Sequence, residues 1–119
     1  MTQSPLSRKP SRGEVWQVRF SPIEGHEQGG QRPALVISVN PFNHGPADLV
    51  VVLPVTTRVR GVPLHVTVTP PEGGLRQPST IMCDQIRAVS QGRLVDRLGP
   101  VFPGTLSLVE ERLRRLLGT

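Results

Sequence analysis

Gly25-His26-Glu27-Gln28-Gly29-Gly30-Gln31-Arg32-Pro33 runs straight into Ala34-Leu35-Val36-Ile37-Ser38-Val39. The second half is a continuous apolar, β-branched run with the length of a buried strand. The first half sets a His, a Glu, a Gln and an Arg among three glycines, which is loop composition. A polar loop fastened to a rigid core element is where binding and catalytic groups tend to sit. Arg32 stands at the junction. Pro33 fixes its own φ and holds Arg32 in an extended conformation, so backbone geometry aims the guanidinium.

Outward from this stretch the chain reads as short strands. Glu14–Phe20 alternates, with Trp16, Val18 and Phe20 on one face and Val15, Gln17 and Arg19 on the other. Asn40–Asp48 is predicted to be a loop, and its His44 is given no role. Leu49–Val55 is a third strand in which Pro54 marks an end or a bulge, and Thr56 and Thr57 emerge where it opens. Arg58–Gly61 is a basic turn. Leu64, Val66 and Val68 then alternate with His65, Thr67 and Thr69, predicting a hairpin with the preceding strand and an exposed His65. Pro70–Pro78 is a turn. Ser79–Cys83 and Gln85–Val89 read as strand, Ser90–Leu94 as a Ser-capped helical turn, and Asp96–Val101 as a short edge strand.

One helix is plain. Leu106, Val109, Leu113, Leu116 and Leu117 lie on one face of Thr105–Leu117. Ser107 and Glu110 have capping-box spacing, with Thr105 as an alternative cap. Arg112, Arg114 and Arg115 suit the negative pole of the dipole, and Gly118 closes the helix. Several short strands followed by a helix predict a mainly β fold, a small twisted barrel or half-barrel with a helix packed on it.

Composition narrows the class. At 119 residues the chain is expected to form a single domain over 12–119, with 1–11 a disordered basic arm. The net charge is +5, and Lys9 is the single lysine among 14 Lys and Arg residues, so a polyanionic partner is expected. Trp16, Phe20, Phe42 and Phe102 are the only aromatics, too few for a base-stacking platform to dominate. Cys83 is the single cysteine. It forms no intrachain disulfide and reads as a small core residue. No run reaches transmembrane length and no signal peptide is evident, so a cytoplasmic location with no membrane partner is expected.

Phosphate chemistry needs a base for the attacking hydroxyl, a cation for developing charge and a proton donor for the leaving oxygen. The acidic residues are scattered rather than gathered in a metal cage, so a route with no metal and no cofactor suits the chain better. Arg32 can grip phosphate with two donors. Thr56 can donate a hydroxyl hydrogen. Glu27 or His26 can handle protons or bond a base edge, and Asp84 can orient Arg32, orient Arg87 or act as a base.

Four blocks then resemble the MazF/PemK/Kid family of toxins from toxin–antitoxin pairs. They are Arg12-Gly13-Glu14-Val15-Trp16, Gly25 to Ser38, Val52-Leu53-Pro54-Val55-Thr56-Thr57, and Cys83-Asp84-Gln85-Ile86-Arg87 with Arg93-Leu94. The resemblance implies an SH3-like or CcdB-like barrel with a packed C-terminal helix, forming a homodimer. It implies a metal-independent endoribonuclease that cuts single-stranded RNA, chiefly mRNA, by 2′-hydroxyl attack. The products would carry a 2′,3′-cyclic phosphate and a 5′-hydroxyl. It places the catalytic pair on Arg32 and Thr56, with Glu27 beside them. His26, Gln28, Thr57, Arg58, Asp84, Gln85 and Arg87 are secondary catalytic or RNA-binding candidates. Kid-like members also use an Arg two positions before the Asp. Met82 stands there, so Arg32 and Thr56 rank above His26 and Asp84. A MazE-like antitoxin with an acidic tail is the implied partner. Two alternatives stand beside this one: a gyrase-directed poison of the CcdB kind, and a basic RNA-binding barrel without activity.

Overall fold

The computed structural model describes residues 9–20, 30–59 and 61–119. His26, Glu27 and Gln28 therefore lie outside the described residues, as does most of the arm expected at 1–11. Seven strands and two helices follow in order: β1 (Glu14–Arg19), β2 (Gln31–Val36), α1 (Asn40–Asn43), β3 (Leu49–Thr56), β4 (His65–Val68), β5 (Ser79–Met82), β6 (Arg87–Ser90), β7 (Leu94–Pro100) and α2 (Pro103–Leu117). The antiparallel order is β4-β5-β3-β2-β1-β7, with β6 also on β3. The two outer strands do not meet among the described residues, so the sheet is open and "barrel" describes it loosely.

Alternation dictates two cores. Val15, Leu35, Leu53, Val55, Val66 and Ile81 pack on one side of the sheet with Val109 of α2. Trp16, Val18, Ala34, Val36, Val50 and Val52 pack on the other with Val89 and Leu94. Strands buried on both faces read as continuous apolar runs, as Ala34–Ile37 does. Leu35 and Leu53 are fully buried, each stabilising the fold by about 1.5–3 kcal/mol.

Several expectations are corrected. Arg32 and Pro33 belong to β2 itself, opposite Val18 and Gln17, rather than to the loop. Pairing of β2 with β3 begins only at Ala34, which leaves Pro33 outside that ladder. β4 pairs with β5 and not with β3, because β5 lies between them. Pro54 neither ends nor bulges the strand. β3 pairs with β6 along Leu49–Val52 and with β5 at Val55–Thr56, so Pro54 falls in the gap where β3 exchanges partners. A proline is tolerated there because no ladder on that side needs its N–H. The strand expected over Ser79–Cys83 and Gln85–Val89 gives up Cys83 and Gln85 to a 3₁₀ turn at Cys83–Gln85, and the loop expected over Asn40–Asp48 begins as a short helix, Asn40–Asn43, with Pro41 in its first turn.

The Ser-capped turn at Gln91–Arg93 forms as expected, Ser90 Oγ accepting from Gly92 N. The C-terminal helix starts two residues early, at Pro103, and its expected side-chain caps are unused. The backbone N–H of Phe102 instead donates to Glu72 Oε2 at 2.9 Å, and Glu110 pairs with Arg12. Gly74 fits the turn beneath this junction. Its φ is +68°, and a Cβ there would meet Leu98 O at 2.0 Å.

Candidate active site

The hairpin of β1 and β2 closes at Phe20 N–H, which donates to Gly30 O at 3.0 Å. Below that closure lies a cavity of about 350 Å³ lined by Phe20, Gly30, Arg32, Pro54, Gln85 and Arg87. Register explains the convergence. Val18 faces Arg32, Ala34 faces Pro54 and Val52 faces Arg87, so side chains two apart along each strand share one face. Arg32 and Arg87 are both exposed. The Arg87 guanidinium lies 5.0 Å from the centre of the Phe20 ring, a cation–π contact that holds it over the cavity. Neither arginine has a carboxylate partner among the described residues.

Thr56 is the last residue of β3 and half-buried. The Ala34–Pro54 pair puts Arg32 and Pro54 on one face of the sheet, and Thr56, two residues past Pro54, lies on that face. Thr56 Oγ1 accepts from Arg58 N at 3.2 Å, a bond that uses a lone pair and leaves the hydroxyl proton for donation. Two cations thus line one opening, and Thr56 follows two residues after its wall Pro54 on the same face of β3, an arrangement that can receive a phosphate.

The other candidates divide. Gln85 lines the cavity with the two arginines. Arg58 is exposed just past the strand end. Thr57 points to the opposite face, into a second cavity of about 380 Å³ with Gln17, Pro33, Leu75, Arg76 and Gln77. Asp84 is held elsewhere: its Oδ1 lies 2.9 Å from His65 Nε2. His65 is not the exposed strand residue expected, since its side chain is only 6% accessible. No local pattern signals this pair. β4 and β5 bring His65 opposite Met82, two residues before Asp84. His44, given no role, lies with Nε2 2.9 Å from Pro10 O. The cavity walls Phe20 and Pro54 carried no functional expectation, although Phe20 shares its face with Val18.

Two further groups are structural. Glu14 is buried and accepts from Arg97 Nε, Trp16 Nε1 and Ser11 N. Burial alone would raise its carboxyl, but these donors outweigh it and hold it below the usual range. Burial pushes the Cys83 thiol up to about 11 against the pull of Arg112, so it is an inert core residue as expected. Among the described residues no three His, Cys, Asp or Glu side chains gather as a metal site.

The chain is 33% identical over 108 residues to endoribonuclease MazF9 of Mycobacterium tuberculosis, spanning 87% of this chain and 92% of that protein. It is similar to the crystal structure of MazF (Form-I) from Deinococcus radiodurans, with a TM-score of 0.78 and 33% identity over 94% of this chain and 99% of that one. It is also similar to a MazE–MazF structure (Form-II) from the same organism, with a TM-score of 0.81 and 32% identity over 94% and 98%. Residues 11–117 match the sequence pattern of the PemK-like, MazF-like toxins of type II toxin–antitoxin systems, and the chain belongs to that family.

Proposed function

We propose that this chain is a toxin that cleaves single-stranded RNA without a metal ion, and that Arg32 and Thr56 act on the scissile phosphate. The supporting observation is the cavity where Arg32 and Arg87 lie without carboxylate partners among the described residues, with Thr56 ending the strand whose Pro54 forms its wall. Arg32 takes two phosphate oxygens through its fork, and Thr56 donates to a non-bridging oxygen. The 2′-oxygen attacks phosphorus as its proton leaves to a base, and the P–O5′ bond breaks as that oxygen gains a proton. Glu27 and His26 are the candidates for the proton transfers. Arg87 and Gln85 hold the neighbouring nucleotide.

The same basic opening suits the acidic tail of an antitoxin, which would compete with RNA for it. A homodimer and a cytoplasmic location belong to the same proposal. Among the described residues no helix is long and apolar enough to cross a membrane.

The test is digestion of single-stranded RNA by purified protein in excess chelator, with the fragment ends mapped. The expected products carry 2′,3′-cyclic phosphate and 5′-hydroxyl ends. RNA left whole, or 5′-phosphate ends, would contradict the proposal.

A further inference from the structure

Thr80 lies on β5, the strand between β4 and β3, with 1% of its surface exposed. Its Oγ1 has no hydrogen-bond partner among the described residues. A buried hydroxyl left unpaired is destabilising, so valine, of the same shape, would suit the fold better. Such an atom calls for an explanation beyond packing. The register supplies one: Thr80 is directly opposite Thr56 on β3. Residues so placed have Cβ atoms about 4.5–5.5 Å apart, within reach of a hydroxyl–hydroxyl bond.

Thr56 Oγ1 has two lone pairs and one proton. Arg58 N–H occupies one lone pair. We propose that Thr80 is a positioning residue, whose hydroxyl donates to the other lone pair of Thr56 Oγ1 when RNA is engaged. With both lone pairs filled, the Thr56 proton has one direction left, toward the phosphate oxygen. Donors on an oxygen also polarise its O–H bond, which strengthens the bond to phosphate. Thr80 touches neither RNA nor any reacting atom. The inference rests on the assignment of Thr56 to the phosphate.

The test compares Thr80→Val, Thr80→Ser and Thr56→Val by melting temperature, RNA affinity and single-turnover cleavage at saturating RNA. Thr80→Val is expected to melt at or above the wild-type temperature and to bind RNA equally well. It should cleave about three- to tenfold more slowly, the worth of one neutral hydrogen bond. Thr80→Ser should restore the rate, and adding Thr80→Val to Thr56→Val should slow cleavage no further. Wild-type cleavage by Thr80→Val while Thr56→Val is slow would overturn this inference alone. Wild-type cleavage by Thr56→Val would remove the assignment beneath it. A rate lost only in proportion to a lowered melting temperature would make Thr80 a packing residue and overturn the inference.

Discussion

Two groups of arginines stand in contrasting surroundings. Around α2 and the β1–β7 edge four are matched: Arg12 with Glu110, Arg97 with Glu14, and Arg112 and Arg115 with Glu111. At the open end of β2 and β3, Arg32, Arg58 and Arg87 have no carboxylate partner among the described residues. The matched set fastens the N-terminal strand and the helix. In the unmatched set, Arg32 and Arg87 leave positive charge over a cavity, where a phosphate can supply the missing anion. Residue type alone does not separate the two sets; the carboxylates brought near each arginine do.

The largest expected effect sits in the unmatched set. Arg32→Lys keeps the charge but loses the two-donor fork, so RNA cleavage should fall about a hundredfold with the melting temperature unchanged. Equal rates for lysine and arginine would mean that charge alone suffices. Next comes the matched set. Glu14→Gln should cost about 1–3 kcal/mol of stability by leaving Arg97 without its charged acceptor. The folded protein holds Glu14 below its ordinary value, so that contribution is complete above the unfolded carboxyl near pH ~4.3 and is lost as pH falls through the folded value. Acid titration of the melting temperature should therefore be shallower in Glu14→Gln, and an identical slope would dissolve the contrast.

A smaller effect is expected at Arg87. Arg87→Ala should weaken RNA binding and lower the log–log salt slope by about 0.7, one phosphate contact on a single strand. Smallest is Arg115→Ala, which breaks an exposed pair with Glu111. Denaturant midpoints should stay where they are, because solvent screens an exposed pair, with cleavage untouched. A cleavage defect there would blur the division between the two regions.

How much of this was legible depended on whether the deciding interaction is local. The alternation of Val15, Trp16 and Val18, the apolar run from Ala34 and the stripe on α2 are local, and each gives an element of the expected type, although β2 begins earlier, at Gln31, and α2 at Pro103. Partner choice is not local. Alternation in Leu64–Val68 does not say that β5 will lie between it and β3. Pro54 signals an interruption but not that two strands meet there. The helix starts before its capping-box spacing because Pro103 and the distant Glu72, not Ser107, serve its first turn. At the site, Arg32 carried its signal in the Arg-Pro junction. Asp84 did not reveal its partner, since His65 is 19 residues away in sequence. Phe20 and Pro54 became walls only through the register that joins three strands.

The most direct test of the central claim is single-turnover cleavage of single-stranded RNA in excess chelator, by wild type and Arg32→Ala. The expected result is a fall of about 10²–10³-fold in rate for Arg32→Ala, at an unchanged melting temperature. Wild-type cleavage by Arg32→Ala would contradict the account.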